Sequence, residues 1–175
     1  VTATVLSKLL LTPVSSYTRK IRTITNKMKI YLGADHNGFE FKKQIATFLQ
    51  HAGYDIVDDS GLTFNKEDDF PQFAGKVAAS LLGDKDKDSR GILICGSGQG
   101  MCMAANRFKG IRASLCWNLD EARSARNDDD SNVLCLSSKY LSLEDTKSIV
   151  MTWLNTPFAG APRFVRRLQQ LDELG

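Results

Sequence analysis

The sequence predicts an α/β fold in which a five-stranded parallel sheet lies between two layers of helices, with one extra helix at the C-terminus. Short apolar runs alternate with stretches of helical period from residue 29 onwards. Repeated βα units of this kind require parallel strands with helices on both faces of the sheet. The chain has 175 residues, 42% hydrophobic and 25% charged, which is typical of one globular domain.

Strands and helices alternate along the chain. Apolar runs predict strands over residues 30–34, 54–57, 92–95, 111–116 and 133–136. Amphipathic stretches predict helices over residues 39–50, 71–82, 101–106, 120–126, 143–154 and 163–174. Gly53 and Gly83 end the first two helices, and Pro71 suits the first turn of the second. The polar segment 58–69 between them is predicted to be a surface loop.

The first 27 residues differ in composition from the rest. They carry no acidic residue and these basic ones: Lys8, Arg19, Lys20, Arg22 and Lys27. This composition is typical of a mitochondrial or plastid transit peptide. Alternatively, the segment lies before the true start of the protein at Met28. The initial Val favours this second interpretation. Either way we predict a poorly ordered extension before a domain over residues 28–175, cytoplasmic unless the transit peptide is genuine.

Charge and cysteine usage exclude several classes of function. Residues 28–175 carry 18 basic and 20 acidic side chains, so nucleic-acid binding is not expected. The four cysteines form no C-x-x-C pair, and His36 and His51 lie far from any cysteine pair. We therefore expect reduced thiols and no metal. The Leu-rich part of the first 27 residues is too short to span a bilayer, and no membrane association is expected.

The segment Gly91–Asn106, GILICGSGQGMCMAAN, combines a strand, a glycine-rich turn and a helix. Such a turn presents backbone N–H groups and a helix N-terminus to a small anion. Cys95, at the last strand position, would lie at the carboxyl edge of the sheet, where open α/β folds bind ligands. The alternative is a structural turn with a buried thiol. The glycine spacing matches neither the dinucleotide nor the P-loop pattern, so nucleotide binding is not favoured.

The chain from residue 28 resembles the type B ribose-5-phosphate isomerases and their galactose-6-phosphate isomerase relatives. Five motifs in the same order carry the resemblance: residues 33–38 (GADHNG), 69–71 (DFP), 92–113, 130–134 (DSNVL), and the pair Arg163 and Arg167. It implies a Rossmann-like three-layer fold, and homodimers or dimers of dimers with shared active sites. It also implies a small phosphorylated sugar as substrate, no cofactor, and aldose–ketose isomerisation through a cis-enediolate.

The resemblance also assigns roles to the glycine-rich turn. Cys95 matches the base that takes the proton from C2 of the sugar. A thiolate can do so only if its pKa is lowered, and a glycine loop at a helix N-terminus is one setting that lowers it. Ser97, which is alternatively a helix-capping turn residue, would hold the enediolate oxygens together with the N–H groups of the neighbouring residues Gly96, Gly98, Gln99 and Gly100.

A phosphate site is predicted from the C-terminal helix. Arg163 and Arg167 are four residues apart, so they share one helix face and can reach one phosphate; the alternative is a solvated basic face. By resemblance, His36 is a further phosphate contact and Asp35 binds sugar hydroxyls.

One position departs from the family pattern. Asp128 and Asp129 stand where the family has a His-Asn or His-Asp pair, and that His is the acid that opens the sugar ring. Lys139 stands where many members have an Arg that contacts substrate. Asp128 can replace the His only if its surroundings raise its pKa well above the usual value of about 4. The alternative is that the acidic run is a solvated loop or a helix cap.

The sequence therefore predicts an isomerase that interconverts ribose 5-phosphate and ribulose 5-phosphate, with Cys95 as the base. Two alternatives stay open at this point: an isomerase of a six-carbon sugar 6-phosphate, and a non-catalytic sugar-phosphate-binding protein. The retained Cys95, Ser97 and arginine pair argue against the second, and the missing His argues for it.

Overall fold

The computed structural model describes residues 27–174 as an open α/β sheet with helices on both faces. The strands are β1 (Lys29–Ala34), β2 (Asp55–Asp58), β3 (Arg90–Cys95), β4 (Ala113–Leu115) and β5 (Val133–Ser137). The helices are α1 (Phe39–His51), α2 (Phe70–Gly83), α3 (Gln99–Ala105), α4 (Leu119–Asn127), α5 (Leu143–Asn155) and α6 (Pro162–Asp172). All strand pairs are parallel, in the order β2-β1-β3-β5-β4. The predicted three-layer fold and its extra C-terminal helix are confirmed.

Each inner strand buries side chains on both faces, and this explains the near-continuous apolar runs. On one face, residues such as Ile92 and Leu134 pack with α1, α4 and α5. On the other face, Leu93 and Cys95 pack with α2 and α3. Because side chains alternate along a strand, the Cys95 thiol points to the α2–α3 side, under the start of α3.

The fourth strand is shorter than predicted. Amide side chains take over the backbone groups where residues 111–116 were expected to begin the ladder. The Arg112 N–H donates to Asn132 Oδ1 at 2.8 Å, and the Ala113 N–H donates to Asn106 Oδ1 at 2.8 Å. The ladder therefore covers only Ala113–Leu115. The third helix begins at Gln99, two residues before the predicted start.

The sheet order places a crevice between β1 and β3. The chain leaves β1 towards α1 on one face and leaves β3 towards α3 on the other. Ligands bind at such a switch point, outside the carboxyl ends of the strands. The segments that follow Ala34 and Cys95 are therefore the expected walls of a site.

A buried lysine fixes one wall of this crevice. Lys42 of α1 is 1% exposed, and its ammonium group donates to the Asp58 carboxylate at 2.6 Å, to Ser60 Oγ at 2.9 Å and to the Gly61 carbonyl at 2.7 Å. Ser60 Oγ in turn accepts from the Ala34 N–H at 3.1 Å. The loop after β2 is thus held against the end of β1.

The opposite, amino edge of the sheet is anchored by a buried indole. Trp153, near the end of α5, donates from Nε1 to Ser131 Oγ at 2.7 Å, and both residues are fully buried. Ser131 follows the acidic run Asp128–Asp130. The loop that carries these carboxylates is therefore attached to the core at the amino edge.

The domain boundary at residue 27 stays a prediction, because residues 1–26 lie outside the described part of the chain. Within residues 27–174, no helix has the length and apolar character needed to cross a membrane.

Candidate active site

The Cys95 thiol lies at the end of β3 and is 6% exposed. The Gly98 N–H donates to its sulfur at 3.0 Å. Gly98 has φ +80°, and a Cβ on it would lie 2.5 Å from Leu115 Cδ1 and 3.1 Å from the Leu136 carbonyl oxygen. Only glycine fits both this conformation and this space. The turn therefore directs a backbone donor at the sulfur.

The pKa of Cys95 is raised above its ordinary value. Burial is the main cause, and the Asp35 charge adds to it; the N–H groups of Gly98, Met101 and Ser97 act in the opposite direction. A glycine turn at a helix N-terminus can lower the pKa of a thiol, but within the single chain the pKa of Cys95 is raised. Backbone donors are present as expected, but loss of water around the sulfur outweighs them.

The rest of the glycine-rich segment comprises the turn after Cys95 and the first residues of α3. Ser97 is half-buried, and its Oγ accepts from the Gln99 N–H at 3.3 Å. A Cβ on Gly100 would lie 2.8 Å from the Phe70 ring, so this glycine lets α2 and α3 approach closely. Gly96 is half-buried and has no such crowding, since its nearest neighbour would be Asn37 at 3.6 Å.

Asp35 begins the segment that follows β1 and faces the same crevice. Its carboxylate is buried and accepts from the Gly38 N–H at 3.1 Å. Burial raises its pKa, and its charge acts on Cys95. A Cβ on Gly38 would collide with the carbonyl oxygen of Ile94. The backbones that carry Asp35 and Cys95 are therefore in direct contact.

His36 is held by Asp68, from the loop before α2. Asp68 Oδ1 accepts from the His36 backbone N–H at 3.0 Å and lies 2.8 Å from ring atom Nδ1. His36 Nε2 lies 2.8 Å from Asn37 Nδ2. The pKa of His36 is raised, mainly by its hydrogen bond to Asp68. Our sequence reasoning missed Asp68, which lies in a segment predicted only to be a surface loop.

Residues at the end of β5 and directly after it complete this edge. Ser137 Oγ donates to the Gly96 carbonyl at 2.6 Å, and Ser138 Oγ donates to the Asn37 carbonyl at 2.8 Å. These two serines, which the sequence analysis did not single out, connect the turns after β1, β3 and β5. Lys139 is exposed; its backbone N–H donates to the Gly96 carbonyl at 3.1 Å.

Two aromatic side chains lie beside Lys139. Its Nζ is 5.2 Å from the centre of the Tyr140 ring, and that ring is 5.9 Å from Trp117, which follows β4. The Lys139 side chain therefore stays at the carboxyl edge, among residues that follow β4 and β5.

The remaining predicted site residues lie at the amino edge. Asp128 Oδ1 accepts from Asn127 Nδ2 at 2.7 Å. The pKa of Asp129 is raised by burial and by the Asp128 charge, and Arg167 opposes this rise. Arg167 of α6 is therefore close to the acidic run. Arg163 and Arg167 are both exposed.

A single chain does not bring the Cys95 thiol at the carboxyl edge together with the acidic run and the arginines at the amino edge. The Gly91 N–H donates to the Asn132 carbonyl at 2.9 Å. The acidic run, which ends two residues before Asn132, therefore lies near the start of β3. β3 has six residues from Arg90 to Cys95, so its start is five residue steps from Cys95, which corresponds to about 16 Å at about 3.3 Å per residue. A cavity of about 630 Å³ at the amino edge has Asp129, Arg112 and Leu171 in its wall, and Cys95 is not part of it.

Fold and site define a class: an open α/β protein with a thiol, a glycine turn and a histidine at the carboxyl edge, and a carboxylate–arginine cluster at the opposite edge. No group of three or more His, Cys, Asp or Glu side chains within residues 27–174 is placed to hold a metal ion. Residues 30–171 match the ribose/galactose isomerase family model. The chain belongs to this family.

Relatives of known name cover nearly all of the described domain. The chain is 40% identical over 142 residues to a probable ribose-5-phosphate isomerase B of Mycoplasma genitalium, covering 81% of this chain and 92% of that protein. It is 39% identical over 146 residues to ribose-5-phosphate isomerase B of Escherichia coli, covering 83% and 95%.

Solved structures agree with this family assignment. The Mycoplasma genitalium enzyme with bound ribulose 5-phosphate is 38% identical, with a TM-score of 0.79 and coverage of 83% and 95%. A ribose 5-phosphate isomerase from Thermotoga maritima is 39% identical, with a TM-score of 0.79 and coverage of 85% and 100%. The predicted family resemblance is confirmed.

Proposed function

We propose that this protein is an aldose–ketose isomerase that interconverts ribose 5-phosphate and ribulose 5-phosphate. The observation that carries the proposal is the likeness, over nearly all of the domain, to ribose-5-phosphate isomerases B, one of them with bound ribulose 5-phosphate. The placement of Cys95 beside a donor-rich turn and Asp35 supports it, because the reaction needs a base and an oxyanion cradle together.

In the proposed mechanism, Cys95 acts as a thiolate that takes the proton from C2 of the open-chain aldose. The electron pair moves through the C1–C2 bond to O1, which gives the cis-enediolate. The N–H groups of Gly96, Gly98, Gln99 and Gly100 and the Ser97 hydroxyl stabilise its oxygens. A proton then passes from O2 to O1 of the enediolate, the electron pair left on O2 forms the C2 carbonyl, and the thiol returns its proton to C1, which gives the ketose. Asp35 binds sugar hydroxyls, and Lys139 contacts the substrate.

The phosphate site, in this proposal, is completed by a second copy of the chain. His36 lies on the Cys95 side, whereas Arg163 and Arg167 lie at the opposite edge of the same molecule. A symmetric dimer that apposes the two edges gives each site one set from each copy. Exposed apolar side chains on the elements involved support an interface: Met103 of α3 is 64% exposed and Leu171 of α6 is 50% exposed.

The same proposal extends to assembly and location. The protein is a homodimer or a dimer of such dimers, and it acts in the cytoplasm. The unpaired state of all four cysteines supports this location, because thiols persist in reducing compartments.

We keep Asp128 as the proposed ring-opening acid, with Asp129 as a substrate contact from the same copy as the arginines. Replacing Asp128 with alanine is expected to lower kcat/KM for ribose 5-phosphate about 100-fold, because general acid catalysis by one side chain contributes about 10²-fold or more. Ribulose 5-phosphate cannot form a furanose ring, since O5 carries the phosphate. Deuterium uptake at its C1 from D2O should therefore change less than about threefold, as no ring step is involved.

Both rates can be followed by proton NMR on one sample. Asp120→Ala, which removes an exposed carboxylate from the first turn of α4, is the matched control and should leave both rates unchanged. An equal loss of turnover and of deuterium uptake in the Asp128 variant would contradict the ring-opening role.

A direct assay tests the proposed function. The purified chain should convert ribose 5-phosphate with a kcat/KM at least about tenfold higher than that for six-carbon sugar 6-phosphates, since the site is proposed to fit a five-carbon chain. A reversed preference would support the six-carbon alternative. If bound ribulose 5-phosphate exchanged no C1 proton with D2O, the protein would be a non-catalytic binder.

A further inference from the structure

We propose that Asp68 is a positioning residue that keeps His36 cationic, so that His36 Nε2 donates a hydrogen bond to the phosphate of the substrate. The inference rests on the proposed function, in which His36 contacts that phosphate. It concerns a carboxylate from a loop 32 positions further along the chain.

The geometry fixes the histidine at two points. One oxygen, Asp68 Oδ1, is 3.0 Å from the His36 backbone nitrogen and 2.8 Å from Nδ1. The Asp68 side chain is 9% exposed and that of His36 is 33% exposed. The carboxylate is thus shielded from water on the side where it binds the histidine, and the ring keeps an open side. Nδ1 must carry a proton to bond to the carboxylate.

The state of Nε2 then depends on the charge of the ring. In the neutral ring, Nε2 is an acceptor, and Asn37 Nδ2 at 2.8 Å can donate to it. A phosphate oxygen is also an acceptor, so a neutral ring cannot hydrogen-bond to it through Nε2. In the charged ring, Nε2 becomes a donor, and the contact with phosphate becomes a charge-assisted hydrogen bond.

Two carboxylates act on the ring. Asp68 faces it from the loop before α2, and Asp35 adjoins it in its own segment. The Asp35 carboxylate accepts a hydrogen bond from the Gly38 N–H and lies on the side of Cys95. Of these two carboxylates, only Asp68 makes a direct hydrogen bond to the imidazole among the contacts described for residues 27–174. Removing the charge of Asp68 should therefore lower the pKa of His36 and leave the Asp35 contact in place.

Asp68→Asn is the test, because asparagine keeps an acceptor oxygen for the backbone and ring N–H groups. Imidazole NMR should show His36 titrating at lower pH in the variant, with His51 on α1 unchanged as an internal reference. KM for ribose 5-phosphate should rise about tenfold at a pH between the two His36 midpoints, as expected when a hydrogen bond to a charged group is lost, with kcat within about twofold. The ratio of variant to wild-type KM should approach one at lower pH, where both rings are charged.

Glu67→Gln is the matched control, because it removes the same charge from the same loop at an exposed side chain. It should shift neither the His36 titration nor KM. Asp68→Glu keeps the charge and should leave the His36 titration nearer to that of the wild type, which guards against misfolding of the asparagine variant. A KM ratio that is the same at every pH, or an unshifted His36 titration, would overturn the inference.

The two proposals can fail separately. Binding of inorganic phosphate, followed by the same imidazole signals, tests Asp68 without any turnover. If phosphate affinity depends on Asp68 but ribose 5-phosphate is not isomerised, the role of Asp68 is supported and the proposed reaction is contradicted. If ribose 5-phosphate is isomerised but the Asp68→Asn change alters neither phosphate affinity nor KM, the proposed reaction is supported and the positioning role of Asp68 is contradicted.

Discussion

Replacing Cys95 with alanine is expected to abolish the isomerisation of ribose 5-phosphate, with kcat lowered at least about 10³-fold. The methyl group of alanine cannot accept the C2 proton, and a positioned base contributes about 10² to 10⁴-fold in rate. Deuterium uptake at C1 of ribulose 5-phosphate should disappear together with net turnover, since both pass through the same enediolate. A coupled spectrophotometric assay and proton NMR in D2O measure the two rates.

The wild-type pH profile belongs to the same prediction. The base must be a thiolate, and burial raises the pKa of Cys95. The thiolate fraction therefore grows as the pH rises towards that pKa, and kcat/KM should increase from neutral to alkaline pH. In the proposed dimer, the arginines of the second copy would lower the thiol pKa, so the rise should begin at lower pH than it would in an isolated chain.

Cys102→Ala is the matched control for this experiment. Cys102 is a half-buried thiol on α3 whose Sγ donates to the Ala113 carbonyl at 3.4 Å. Its contact with the glycine turn is the backbone hydrogen bond from its N–H to the Gly98 carbonyl at 3.1 Å, which alanine keeps. This variant should keep the wild-type rate within about threefold, as expected for a change away from the reacting atoms. Retained deuterium uptake in Cys95→Ala would show that another group is the base.

Two inactive variants should restore activity to each other when they share a dimer. Arg163→Ala/Arg167→Ala should lose at least about 10²-fold in kcat/KM, since two charge-assisted contacts to phosphate are removed. In a mixed dimer with Cys95→Ala, one site combines both defects, and the other combines an intact thiol with an intact arginine pair. Purified mixed dimers should therefore show about half the wild-type activity per dimer.

The mixed dimers can be prepared by co-expression with two different tags and sequential affinity purification. A mixed dimer that carries both sets of changes on one chain, beside a wild-type chain, is the control. It has one defect in each site and should be inactive. Activity in this control together with none in the first pairing would mean that the thiol and the arginines of one chain act together, and the shared site would be wrong.

Much of the fold is predictable because the apolar pattern of each segment agrees with the burial of that segment in the folded sheet. The apolar runs around Ile92 and Leu134 are buried on both sides in a parallel sheet, and that burial produces their uninterrupted pattern. The start of β4 was not predictable in this way. The N–H groups of Arg112 and Ala113 bond to side chains, those of Asn132 and Asn106. No periodicity reveals which side chain will reach a backbone group from a distant part of the chain.

The residues of the site also divide into those that the sequence could predict and those that it could not. Residues at strand ends, such as Asp35 and Cys95, could be selected because parallel strands place their carboxyl ends at one edge. Asp68 could not, since it reaches His36 across 32 positions from a loop with no regular pattern. The direction of the Cys95 pKa was also out of reach of the sequence, because it depends on how far water is removed from the sulfur.

The two tryptophans of the chain lie at opposite ends of this architecture. The Trp117 ring lies 5.9 Å from the Tyr140 ring, which is beside Lys139, and the Trp153 indole donates a hydrogen bond to Ser131, next to the acidic loop. Each half of the proposed composite site therefore contains its own native fluorophore. Single Trp→Phe variants would let emission from one edge be recorded without the other, so that substrate arrival and subunit docking become separate optical signals in an unlabelled protein.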